Sequence, residues 1–176
     1  MAAKIRLEDR ECPLSTTVGL VGEWWTVLIL HDVFDGFTRF DQFQENLQIS
    51  SSLLSSRLKD LVAGGVLERR QYELHPPRYE YVLTDLGRSL RPVLVAMAAW
   101  GNSRLDPEKR AMILVDTGTG DEVDPVIVDR KSGRELTPGE FSFADGPAAS
   151  RVMQARYQRK LTLAAALREE AELAEE

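Results

Sequence analysis

One cysteine and two histidines are all that 176 residues offer in the way of soft metal ligands. The lone thiol, Cys12, cannot close an internal disulfide. A structural zinc needs about four ligands, whereas Cys12, His31 and His75 lie scattered, so no metal and no other cofactor is expected. Long apolar runs are missing too: none approaches the roughly 18 residues of a membrane span. The opening residues, MAAKIRLEDRECP, lack the apolar core of a signal peptide, so the expectation is a cytoplasmic protein with no membrane partner. Positive charge is also in short supply. The 22 Lys and Arg against 28 Asp and Glu give a net charge of −6, unlike a protein that is basic all over to match nucleic acid. Neither histidine stands in a recognisable triad context beside a serine, so hydrolytic chemistry has no base and no enzyme is expected.

The 43% of hydrophobic residues suffices for a packed core in one domain of ordinary size, or a smaller one with an appendage. The acid is spread unevenly. Residues 1–104 hold 12 cationic against 13 acidic side chains, and residues 105–176 hold 10 against 15. The first part is therefore near neutral, and the local placement of its cations decides what it attracts. A near-neutral module predicts weak non-specific binding to DNA with a steep dependence on salt.

That first part has a dense order of elements. A helix is expected from about Pro13 to Leu20 and a second from about Glu23 to Phe34, where Trp25 to Leu30 is apolar nearly all round, the mark of a buried helix. From Arg39 to Leu47, Phe40, Phe43 and Leu47 repeat at helical period. After a break at Gln48-Ile49, Ser50 is a good N-cap, and Leu54, Leu58, Leu61 and Val62 form one buried stripe before Gly64-Gly65 ends the helix. The opposite side of that helix carries Ser52, Ser56 and Lys59, with Ser51, Ser55 and Arg57 on the flanks. Small hydroxyls and cations of this kind suit a groove wall and phosphates. Residues 66–71 and 78–83 alternate as two strands, and Pro76-Pro77 puts the tip of the ribbon between them. Thr84 caps a helix from Asp85 to Trp100 whose apolar face is too wide for the module beneath it, with Pro92 kinking it about one turn upstream. This is the layout of a winged helix-turn-helix, in which the second helix of the pair enters the major groove.

Several separated motifs agree with this layout: Cys12-Pro13, VGEWWTVLIL at 21–30, GFTRF at 36–40, Ile49-Ser50, LSSRL at 54–58, PRYEY at 77–81 and LTDLG at 83–87. In this order and spacing they resemble the HxlR-type transcriptional regulators, relatives of the MarR group, over roughly residues 10–104. The resemblance implies a bacterial, homodimeric regulator of double-stranded DNA, with a helical dimer interface flanking the winged domain. It also matches Cys12 to the cysteine that several such regulators use to sense electrophiles or oxidants. Trp24, His31 and Ser52 depart from the family pattern, the last two at places that are often basic. The recognition helix is thus short of long base-reading side chains, which shifts weight to wing contacts and DNA shape.

The fold class expected is α+β: a winged helix-turn-helix domain with flanking dimerisation helices at 1–104, a linker at 105–110, a small antiparallel β appendage at 111–146 and a C-terminal helix at 147–176. In the appendage, Met112 to Val115, Pro125 to Val128 and Phe141 to Phe143 read as short strands between turns. Some HxlR-type proteins carry cysteines in a similar appendage that resembles a zinc ribbon, but here the turns hold Thr119, Asp129 and Ser132. The last helix runs from a basic start to an acidic end, against its own macrodipole, which an antiparallel copy of itself would offset. In the DNA-bound reading, Arg39 and the Ser50 end of the helix hold phosphates. Ser51, Ser52, Ser55, Ser56, Arg57 and Lys59 face or flank the groove, and His75 and Arg78 act from the wing. Trp24, Trp25 and Trp100 are candidates for an effector pocket that takes a small molecule. The expected activity is repression at an inverted-repeat operator, released by an effector or by thiol modification. The alternative is a winged-helix module turned to protein contacts, without sequence-specific DNA binding.

Overall fold

Apolar spacing decides where the first helices bury themselves. The computed structural model describes residues 11–137 and 139–174, the side chains at 168, 169 and 171–174 excepted. The expectations for the N-terminal segment and for the last acidic residues lie outside that range. Helices α1 (Pro13–Val21), α2 (Trp24–Phe34), α3 (Phe40–Leu47) and α4 (Ser51–Ala63) are followed by strands β1 (Leu67–Leu74) and β2 (Pro77–Leu83). Helices α5 (Asp85–Ser89), α6 (Arg91–Asn102) and α7 (Arg151–Ala174) complete the chain. Residues 17–135 pack as one compact unit, and the described residues up to Thr16 form a second with those from Leu136 on.

Ile29 and Leu30 of α2, Phe43 of α3 and Leu54, Leu58 and Leu61 of α4 meet in one core with Ile49, Val66 and Leu67. Burying each side chain of this size contributes about 1.5–3 kcal/mol relative to leaving it exposed. Asp32 of α2 is buried at the edge of this core with Asn46 Nδ2 3.4 Å from its Oδ2, and its burial holds the carboxyl above the usual range. The expected all-round burial of α2 is corrected: Trp24 and Leu28 are exposed on its outer side. Helices α3, α4 and α6 and strand β2 cover only part of its circumference.

The turn between α3 and α4 is short because Gln48 takes a left-handed backbone (φ 52°) while its side chain donates to the Glu45 carbonyl at 2.7 Å. Ile49 can then plug into the core and Ser50 can start α4. After α4, Gly65 supplies the positive φ (70°) that turns the chain into β1. The antiparallel ribbon runs from Leu67 opposite Leu83 to Leu74 opposite Pro77, so the prolines do sit at its tip. One residue, Tyr72, bulges out of the ladder. A single bridge from Arg39 to Glu80 and a 2.7 Å bond from Tyr81 N–H to the Thr38 carbonyl tie the ribbon back to the start of α3.

Two expectations change further along. The helix expected from Asp85 to Trp100 is two helices broken at Leu90, because Pro92 lies in the first turn of α6 and begins a new helix there. The expected β appendage keeps only two isolated antiparallel bridges among the described residues, Val115 with Glu122 and Val128 with Glu135. Its strand-like runs stay exposed, Val126, Ile127 and Val128 included, and without a buried face β-propensity alone does not build a ladder. A short 3-10 turn, Pro107–Lys109, occupies the expected linker. No single described helix is long and apolar enough to cross a membrane.

Candidate nucleic-acid interface

The stripe that buries α4 fixes what its other side shows. With Leu54, Leu58 and Leu61 sealed inside, Ser51, Ser52, Ser55, Ser56 and Lys59 are all exposed on the outer face. Gln44 of α3 donates to Ser51 Oγ at 2.8 Å and so joins the two helices at the start of that face. Lys59 has no ion-pair partner among the described residues. Small hydroxyls let the helix backbone come close to a groove wall, and the exposed amides at its N-terminus suit a phosphate.

Two sequence-based roles are corrected. Ser50 stands at the N-cap position with extended backbone, yet its side chain makes no capping bond, and its Oγ lies 3.5 Å from Ser52 Oγ instead. The free N–H groups of the first turn are therefore left for another acceptor. Arg57 is not an open groove-facing cation: its guanidinium lies 3.3 Å from Asp60 and 3.7 Å from Glu23, and its Nε is buried. It fastens the recognition helix to the start of α2. No sequence pattern announces that pair, because Glu23 is remote along the chain.

The wing is charged but internally engaged. Arg78 Nε sits 3.1 Å from Glu73, Arg70 pairs with Glu68, and Arg69 stacks over Tyr79 at 3.6 Å from the ring centre. The bulge aims Tyr72 beneath Arg39, whose Cζ is 4.7 Å from that ring. Arg39 is thereby held at the start of α3, where Gln42 Oε1 accepts its backbone N–H at 2.9 Å. His75 is exposed at the ribbon tip. Exposed ion pairs of this kind are worth only about 0–1 kcal/mol, so Arg78 can exchange Glu73 for a phosphate at little cost.

The three tryptophans do not come together around a pocket. Trp24 and Trp25 stack at 4.1 Å, while Trp100 is exposed on α6 with Arg104 5.4 Å from its ring. None of them lines the cavity between α2, α6 and the segment 110–125. Cys12 is half-buried just ahead of α1, and its thiol is pulled below the usual range by the Ser15 backbone N–H first, against the opposing effect of burial.

Comparison with known proteins agrees with this geometry. The HxlR-like helix-turn-helix family model matches residues 20–109. The chain is similar to the uncharacterized HTH-type transcriptional regulator Rv3095 of Mycobacterium tuberculosis (strain ATCC 25618 / H37Rv), 40% identical over 129 residues, 73% of this chain and 82% of that one. It is 36% identical to the uncharacterized HTH-type transcriptional regulator YdeP of Bacillus subtilis (strain 168) over 96 residues, 54% of this chain and 75% of the relative. Among solved structures, PA1374 from Pseudomonas aeruginosa superposes with a TM-score of 0.63 at 38% identity, covering 82% of this chain and 99% of its own. The redox regulator HypR in its oxidized form superposes with a TM-score of 0.50 at 34% identity, covering 54% and 99%. With its recognition helix, wing and matched segment in agreement, the chain belongs to the HxlR-like helix-turn-helix family, whose members are DNA-binding transcription regulators and not enzymes.

Proposed function

We propose that two copies of this chain bind an inverted-repeat operator as a homodimer in the cytoplasm and repress transcription, with release by a small-molecule effector or by modification of Cys12. The observation that carries the reading is the outer face of α4, where four serines and Lys59 stand exposed beside an arginine-bearing wing. Ser51, Ser52, Ser55, Ser56 and Lys59 face the major groove. Arg39, the Ser50 end of α4, His75 and Arg78 hold phosphates, and Arg57 keeps the helix in place. Pairing of two chains is supported by Val93, Met97 and Trp100, an exposed apolar stripe at i, i+4 and i+7 on α6. Recognition helices that enter successive major grooves must then stand about 34 Å apart, one helical turn of DNA.

Duplexes selected from random sequence provide the test. Lys59→Ala and Arg78→Ala each weaken binding to every duplex about three- to tenfold and flatten the salt dependence by about one phosphate contact. The shifted complex carries two chains per duplex. Unchanged affinity in both variants, or one chain per duplex, contradicts the assignment.

The thiol reading is supported by the lowered Cys12 pKa, and by the likeness to HypR, which is a redox regulator. More thiolate means faster reaction with electrophiles. Peroxide treatment therefore lowers the DNA affinity of the unaltered chain and leaves that of Cys12→Ser as it was. Equal loss in the two proteins removes Cys12 from the switch.

A further inference from the structure

Helices α2 and α6 and the segment 110–125, all within the unit 17–135, line a half-open cavity of about 580 Å³. That volume falls in the ordinary range of small-molecule sites. One side is apolar and helical, with Phe34, Leu94, Val95, Ala98 and Ala99. Ile113, Leu114 and Val123 supply the other. No residue of the recognition helix or wing takes part, so the cavity stands apart from the DNA-binding face.

The wall made by segment 110–125 is pinned. Asn102 Nδ2 donates to the Met112 carbonyl at 2.9 Å, and His31 Nε2 lies 3.2 Å from Met112 Sδ. Val115 and Glu122 pair across a turn, and Val123 N–H donates to the Leu114 carbonyl at 2.9 Å. These bonds make a preformed chamber of what would otherwise be space under a loop.

Its charges narrow the ligand. Arg91 and Arg110 face Asp35, Glu122 and Asp124 around the lining, and Arg110 is already paired with Glu122 at 3.0 Å. The remaining carboxylates disfavour an anion, and the apolar side disfavours a strongly hydrated cation. We propose that this cavity binds a neutral, largely apolar small molecule.

The neutral dye Nile red tests the site on the full chain. Its fluorescence should rise, shift to the blue and saturate near one dye per chain. Ala98→Trp fills the helical side and Val123→Trp the other, and each should weaken binding at least about tenfold. Val123 is exposed and off the helices, so its variant decides the matter if Ala98→Trp fails to fold. A rise that does not saturate, or that neither filling variant reduces, overturns the site and places the dye on exposed surface such as the α6 stripe.

Discussion

A chain carrying Ser52→Glu and Ser56→Glu together loses at least about 100-fold in DNA affinity while its thermal unfolding stays within about 0.5 kcal/mol of the unaltered protein. Both serines are exposed on the outer face of α4, one helical turn apart, and neither touches the buried stripe of Leu54, Leu58 and Leu61. Glutamate is a slightly better helix former than serine, so the helix itself is not weakened. What changes is the sign of the charge brought against the phosphate backbone. Gel shift and fluorescence anisotropy on a selected duplex read the loss, and circular dichroism confirms the fold. Binding retained within threefold would take the DNA face away from α4 and leave a module built for protein contacts as the better account.

Gly87→Ala should cost about 2–3 kcal/mol, the upper end for inserting a methyl into packed structure, and lower the melting temperature by roughly 5–10 °C. A methyl group there collides with the backbone carbonyl oxygen of Val66 and comes within 2.9 Å of Leu83 Cδ2. The carbonyl cannot swing aside freely, because it accepts from Thr84 N–H at 3.1 Å, and the Thr84 hydroxyl, which donates to the neighbouring Gly65 carbonyl at 2.6 Å, lies 3.1 Å from it. The same hydroxyl accepts the Gly87 N–H at 3.1 Å. Any shift is passed to the junction of α4, the wing and α5, so DNA affinity falls along with stability. Urea unfolding that is unchanged in the variant would show that the junction yields more easily than these bonds imply.

The sequence made the winged module legible because its signals are local. The leucine stripe of α4 has helical period, Gly64-Gly65 closes it, and Pro76-Pro77 can only be a ribbon tip. Pro92 announced a disturbance in the helix after the wing but not its form, a full restart at Arg91, since the same residue is compatible with a kink or with a first turn. The strand-like runs after residue 110 misled because alternation is read without knowing whether a partner face exists. Arg57 looked like a groove contact because its wheel position is on a flank, and its real partner, Glu23, comes from another helix. The tryptophans suggested a pocket by type, whereas the cavity is assembled from Phe34, α6 and a coil, brought together only by the fold.

The ion pairs of the ribbon have a consequence for how the protein searches a chromosome. Glu73 and Glu68 occupy Arg78 and Arg70 with carboxylates, groups that imitate the oxygens of a phosphate. The wing thus carries its own decoys. On the DNA-bound reading proposed above, giving up these exposed pairs costs only about 0–1 kcal/mol each, but a displaced carboxylate then lies near the DNA backbone and repels it. On that reading a site that also seats the serine face of α4 offsets the repulsion, and residence on wrong sequence is shortened by acids in the reader itself.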